Sequence, residues 1–297
     1  MSHYNEVVDT CCASCGIAKV DDIKLVPCDD CDLVKYCSDD CKKDHKSEHK
    51  EDCKKRAAEL HDKILFKQPE GSHLGDCPIC MIPLSLDISK STLTGCCSKV
   101  ICDGCDFASE LREFEARVKG TCPFCRDAAP SSNKEYNEQR RKRIEANDPL
   151  ALYQHGGEQC RKGNYSKALK LLKKAAELGD ADAHYSLSGL YHEGHGVEQN
   201  EGKEIHHLEQ AAIAGHPTAR YILGSHEWNN GHKERAVKHW IIAATQGEDE
   251  SIKMLMRAFK QGIVEKDVLA AAFRAHKAAV DATKSPQREA ARRNLFG

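Results

Sequence analysis

The stretch Cys77-Pro78-Ile79-Cys80, followed by Cys96-Cys97, Cys102-Asp103-Gly104-Cys105 and Cys122-Pro123-Phe124-Cys125-Arg126, decides how this chain is read. Three Cys-x-x-Cys pairs and one vicinal pair place eight thiols between residues 77 and 125. A Cys-x-x-Cys pair is a turn that presents two thiolates to one metal ion, and two such pairs complete a tetrahedral zinc shell. The same grammar runs upstream. Cys12-x-x-Cys15, Cys28-x-x-Cys31, Cys37-x-x-x-Cys41 and His49-x-x-x-Cys53 form four more pairs, one of them carrying a histidine.

Cysteine usage separates zinc from disulfides. Of 17 cysteines in 297 residues, all but Cys160 lie before residue 126. A secreted disulfide framework calls for an even count and a signal peptide. The count is odd, the spacings are metal spacings, and residues 1–10 hold no apolar core of a signal. The expectation is an intracellular chain in a reducing compartment, cytoplasm or nucleus. No apolar run approaches the ~20 residues of a membrane span. Formal charge is −2. Four Zn²⁺ on fifteen deprotonated thiols would take it to about −9. With no overall basic field, nucleic acid is not the expected partner.

The order of pairs in residues 77–125 resembles a RING finger, in which the first and third pairs share one zinc and the second and fourth share the other. Carried over, Cys77, Cys80, Cys102 and Cys105 hold one ion, and Cys96, Cys97, Cys122 and Cys125 hold the other. One departure stands out. Lys99 falls where that family usually has a ligand histidine, and an ammonium offers no lone pair. Cys96 is the natural substitute, although adjacent cysteines on one metal make a tight geometry. RING ligases orient a ubiquitin-loaded conjugating enzyme rather than attack it. The resemblance implies contacts to that enzyme from Ile79, Pro123 and Arg126, the last a planar hydrogen-bond donor. Ser109 stands near the place of a usual large apolar contact.

Residues 12–53 resemble a MYND finger, including Tyr36 before Cys37 and Lys50 after His49. That family's interleaving implies Cys12, Cys15, Cys37 and Cys41 on one zinc, and Cys28, Cys31, His49 and Cys53 on the other. Cys11 rivals Cys12, and His45 rivals His49. The two-residue turn favours Cys12, and only His49 keeps a helical four-residue step to Cys53. MYND fingers dock short peptides. The tryptophan that many carry near the ligand histidine is missing from residues 44–48. Some sit within methyltransferases, but no strand-rich catalytic segment remains here. The lysines from Lys42 to Lys55 read as counter-charge to thiolates, since no aromatics are interleaved for base stacking.

Apolar spacing predicts a helix over 54–66, broken by Gln68-Pro69-Glu70-Gly71-Ser72. A second is predicted over 106–119, with Leu111, Phe114 and Val118 at the i, i+3, i+7 spacing of one helix face and Gly120 as its stop. Residues 134–146 are charged and helical. Their Arg140-Arg141-Lys142-Arg143 is either a nuclear-localisation patch or a solvated face.

Internal repetition follows. Ala175-Ala176-Glu177-Leu178-Gly179 recurs 36 residues on at Ala211 and a further 32 on at Ala243. Tyr153, Tyr185, Tyr221 and Met254 stand upstream in step. Each unit reads as helix, turn, helix, closed by a glycine cap. Residues 148–283 resemble Sel1-like repeats, relatives of the tetratricopeptide class. The many histidines here fall in no ligand pattern and read as loop or surface residues, and Cys160 reads as a buried helix residue.

The chain therefore divides into a MYND-like finger (1–53), a helix and linker (54–76), a RING-like finger (77–130), a charged helical linker (131–147) and Sel1-like repeats (148–297). The fold class is multidomain: two small zinc-stabilised modules followed by an all-α helical-repeat solenoid. No catalytic side chain and no organic cofactor site is expected. The function implied is an intracellular adaptor that docks proteins or peptides. The alternative is a RING-type ubiquitin ligase, and a third is a transcriptional co-regulator. Because metal binding is folding energy in such modules, a chelator should unfold residues 12–125 and spare the helical repeats. Circular dichroism that does not change as four zinc ions are withdrawn would contradict this.

Overall fold

The computed structural model describes residues 11–17 and 24–296. Contacts divide the chain into two compact units, Met1–Lys67 and Gln68–Gly297. Among the described residues, no helix is long and apolar enough to cross a membrane.

In the first unit, β1 (Val26–Pro27) pairs antiparallel with β2 (Lys35–Tyr36), Val26 opposite Tyr36. Helix α1 (Asp39–Asp44) follows, its N-cap Ser38 accepting from the Cys41 N–H at 3.3 Å. Helix α2 (Lys46–Leu65) starts well before residue 54. Its first two turns are polar and carry His49 and Cys53, so ligand placement rather than an apolar stripe accounts for them. The core is Cys12, Leu25, Cys28, Cys31 and Tyr36. So few apolar side chains cannot hold a fold of this size without a metal.

The second unit opens with β3 (Ser91–Leu93) and β4 (Val100–Cys102), antiparallel, with Ser91 opposite Cys102. Helix α3 (Asp103–Ala116) is rotated from the sequence expectation. Phe114 is 82% exposed, and Leu111 and Val118 are exposed as well. The inner face is Cys105, Ser109 and Glu113. Cys105 sets the phase. The Glu113 carboxylate then accepts from the Thr121 N–H at 2.9 Å and its hydroxyl at 2.7 Å. The helix ends at Arg117, in the left-handed region, before Gly120 is reached.

Helix α4 (Asn133–Glu145) leads into α5 (Pro149–Arg161), α6 (Tyr165–Glu177), α7 (Ala181–Glu193), α8 (Glu201–Ile213), α9 (Pro217–Asn229), α10 (Lys233–Thr245) and α11 (Asp249–Lys260). Consecutive helices pack on each other. Ala175, Ala211 and Ala243 are fully buried where the helices meet. Gly179, Gly215 and Gly247 close the units at φ of 87–89°. The first helix of each unit begins at an equivalent N-cap. Asp148, Asp180, His216 and Glu248 accept from the backbone N–H three residues on, at 3.0, 2.7, 3.2 and 2.6 Å. Helix α12 (Lys266–Ala282) covers α10 and α11, and α13 (Pro286–Phe296) packs on α3.

Helix α9 crosses α10 closely. A Cβ at Gly224 would lie 2.5 Å from the indole nitrogen of fully buried Trp240. That nitrogen donates to the Tyr221 carbonyl at 3.2 Å. Gly224→Ala should therefore cost about 1–3 kcal/mol through overpacking, despite alanine's better helix propensity. A urea denaturation midpoint equal to wild type would refute the crossing.

Candidate metal centres

Four donor sets form, each with its ligand atoms within 4.8 Å of one another. They are Cys12, Cys15, Cys37 and Cys41; Cys28, Cys31, His49 and Cys53; Cys77, Cys80, Cys102 and Cys105; and Cys96, Cys97, Cys122 and Cys125. Sulfur–sulfur separations include 3.6 Å (Cys15–Cys37), 3.7 Å (Cys28–Cys53), 3.8 Å (Cys80–Cys102) and 3.9 Å (Cys97–Cys122). A tetrahedron with metal–sulfur bonds of about 2.3 Å has edges of about 3.8 Å. A disulfide would bring the sulfurs to about 2.05 Å. The Cys31 sulfur lies 3.0 Å from His49 Nε2. Each set is four thiol or imidazole donors with no oxygen, the chemistry of structural zinc.

One backbone turn builds four of the five Cys-x-x-Cys corners, and the fifth, Cys102-x-x-Cys105, is the N-terminus of α3. The N–H four residues after the first cysteine donates to that cysteine's carbonyl: Gly16 to Cys12 at 2.9 Å, Asp32 to Cys28 at 3.3 Å, Met81 to Cys77 and Arg126 to Cys122 at 2.9 Å. All four donors have positive φ, although only one is glycine. Non-glycine residues adopt this conformation only where the surroundings demand it. The turn aims N–H groups at the first sulfur. Burial pushes the Cys12 thiol up, but the N–H groups of Cys15, Cys37 and Ser14 bring it down to about 6. Cys77 and Cys122 fall to about 7 by the same balance. Their neighbours move the other way. Hydrogen bonds with Cys15 and Cys41 push Cys37 up to about 12, and burial with Cys31 and Cys28 does the same to Cys53. Clustered thiolates repel, and a dication removes the conflict.

The vicinal pair is built on the same turn. The Thr94 N–H donates to the Lys99 carbonyl at 2.9 Å, the Ser98 N–H donates to the Thr94 carbonyl at 3.0 Å, and Ser98 has φ 52°. Thr94 thus takes the first-cysteine place, its hydroxyl 3.1 Å from the Cys97 sulfur. Cys97 then occupies the second-ligand place, and Cys96, one residue earlier, turns toward Cys125 at 3.3 Å. Lys99 is no donor. Its ammonium lies 5.7 Å from the Phe124 ring centroid.

The family models now apply. Residues 12–53 match the MYND finger. The Sel1 repeat matches residues 150–180, 181–216 and 223–248. Among solved structures, a Sel1 repeat protein from Oxalobacter formigenes is 25% identical, with TM-score 0.37 over 41% of this chain and 97% of its own. The Pseudomonas aeruginosa protein PA5086 is 18% identical, with TM-score 0.41 over 61% of this chain and 69% of its own. The immunity protein PA5088 from Pseudomonas aeruginosa is 22% identical, with TM-score 0.35 over 54% and 62%. The curated proteins gave no match.

In the MYND finger, Cys11 lies outside both donor sets. His45 is a supporting residue rather than a solvated one. Its ring stacks on His49 at 5.7 Å, and its Nδ1 lies 3.2 Å from the Tyr36 hydroxyl. A cleft of about 680 Å³ opens beside the second donor set, lined by Tyr36, Ala57 and lysines 42, 43, 46, 50 and 54. Lys42 pairs with Asp29 and Lys54 with Glu51, while Lys46 and Lys50 have no ion-pair partner among the described residues. In the central module, Ile79 is 41% exposed, Arg126 is exposed and Pro123 is half-buried. The basic run on α4 is largely spent internally. Arg140 pairs with Glu158 at 2.7 Å, Arg141 with Glu138 and Glu145, and Arg143 with Asp148.

Two histidines of the array are buried rather than on loops or the surface as expected. His216 is 5% exposed and His239 fully buried. Asp182 lies 3.2 Å from His73 Nε2 and 3.4 Å from His216 Nε2, and the two rings stack at 4.3 Å. Their donors are near enough to hold a metal. Their outer contacts argue for protons instead. A ligating histidine donates its other ring N–H to an acceptor. His216 Nδ1 accepts from the Ala219 N–H, and buried His73 Nδ1 has no partner among the described residues. His216 therefore carries its proton on Nε2 and gives it to Asp182. The cluster fastens residues 68–76 along the repeat turns. The His73 N–H donates to the Gly215 carbonyl at 3.0 Å, and the Gln246 amide donates to the Gly71 carbonyl at 2.8 Å.

Acid should loosen the Sel1 repeats. Burial, with His184 and His206 nearby, holds His207 down to about 4. Burial beside Arg220 and Arg235 holds His239 down to about 3, and burial lowers His216 too. The unfolded chain takes up these protons first, so their stabilisation is complete above pH ~6.5 and is lost as pH falls toward 4. Asp180, raised to about 6 by burial, offsets part of this below pH 6. Both tryptophans, Trp228 and Trp240, lie in the array. Their fluorescence should report a melting temperature that drops between pH 7 and 4.5, with a shallower slope in His239→Gln. An unchanged slope in that variant would exclude His239.

Proposed function

We propose that this chain is a zinc-dependent docking protein, with the sixteen cysteine and histidine donors of the four sets holding four structural ions. The observation that carries the reading is that each set has four protein donors. A zinc so enclosed keeps no open position for a substrate, so its work is folding rather than Lewis-acid chemistry. Partners are protein segments, taken by the MYND finger beside its lysine-lined cleft and by the Sel1 repeats.

A second reading makes the central module a RING-type ligase. It is favoured by Ile79 standing exposed between two ligands and by Arg126 presented to solvent at the end of the last ligand turn. Against it stands Ser109, small and buried, where a large apolar contact is called for. Discharge of a ubiquitin-loaded conjugating enzyme onto free lysine separates the two. Zinc-replete protein should leave discharge across a panel of such enzymes at its basal rate. Discharge accelerated by the wild type and abolished in Arg126→Ala would replace the adaptor with the ligase.

A further inference from the structure

Helix α13 lies on the central module. Arg288 of α13 is 3% exposed, more than 150 residues beyond that module's last cysteine. Its guanidinium donates to the carbonyls of Pro83 at 2.7 Å, Ile82 at 2.9 Å and Thr283 at 2.7 Å. Its Nη2 also lies 3.5 Å from the Cys80 sulfur. Two neighbours lock the approach. Gln287 donates to the Gly104 carbonyl at 3.0 Å, and Arg292 pairs with Asp103 at 3.3 Å. Gly104 makes room, since a Cβ there would sit 2.9 Å from the Arg288 Cα. Both ligand turns of one donor set, residues 77–83 and 102–105, are thus gripped by a single helix.

We propose that α13 completes the outer shell of the Cys77, Cys80, Cys102 and Cys105 metal site, with Arg288 as its positioning residue. The proposal rests on the zinc reading of that set. Four thiolates on one Zn²⁺ leave two net negative charges, and a buried guanidinium neutralises one of them while fixing the Cys80 turn. Arginine suits the place because its planar fork serves three carbonyls and a sulfur at once. Metal occupancy and helix docking are then linked in both directions. A partner on the repeats that draws α12 and α13 aside would loosen this zinc and leave the other three.

The test uses the full-length, zinc-loaded protein, pulsed with iodoacetamide and read cysteine by cysteine in a mass spectrometer. Arg288→Met should speed alkylation of Cys77, Cys80, Cys102 and Cys105 by about 10-fold or more, the usual penalty for losing an outer-shell partner. The MYND cysteines should keep wild-type protection. Arg288→Lys should fall between, and Gly104→Ala, which keeps the arginine but pushes its helix away from the ligand turns, should reproduce the effect. Wild-type protection of the four cysteines in both Arg288→Met and Gly104→Ala would overturn the proposal, as would equal exposure of all fifteen cysteine donors. A wild type holding fewer than four zinc ions, with this set already open, would overturn the zinc reading beneath it.

Discussion

Thiolate repulsion is the constraint on which the cysteine modules depend. Sulfurs 3.3–3.9 Å apart cannot all ionise without a cation among them, and they cannot all stay protonated beside turns that point N–H groups at them. The opposed shifts of Cys12 and Cys37 record that conflict in one set. A dication resolves it, and the resolution supplies what a core of five buried side chains does not. The strained turn residues Asp32, Met81, Ser98 and Arg126 belong to the same account. Each gives up about a kcal/mol or more of backbone comfort, and ligand geometry over-determines it.

The repeat array is governed by shape instead. Fully buried alanines set the helix spacing, and Gly224 lets α9 approach the Trp240 ring closely. Stability there is a sum of neighbour contacts, which suits a structure with no single core. Helix α13 departs from this pattern: it packs on α3 of the central module, and this module and the array are parts of one unit.

Ligand spacing was readable because a zinc turn is local. Two cysteines three apart and a positive-φ residue after them need nothing distant to be recognised. The inward face of α3 was not readable by the same means. Leu111, Phe114 and Val118 have helical spacing, but the interior is filled by sulfur and by the Glu113 carboxylate, so the apolar stripe faces water. Periodicity marks a buried face only where apolar packing decides the orientation. The grouping of His73, Asp182 and His216 was invisible for another reason. The first two stand 109 residues apart and meet only because residues 68–76 run along the repeat turns.

The departures from local rules fall where distant contacts act. At the equivalent N-cap of successive units stand Asp148, Asp180, His216 and Glu248. A histidine caps less readily than a carboxylate, because it must offer an unprotonated nitrogen. That requirement places the proton on Nε2, facing Asp182 and the His73 ring. An aspartate there would cap as well, but it would set a second anion beside half-buried Asp182 instead of a donor. Thr94 follows the same logic: it keeps the turn while yielding its place in the donor set to Cys96. In both places the backbone rule is obeyed and the side chain is changed, so the substitution marks a demand from elsewhere in the fold.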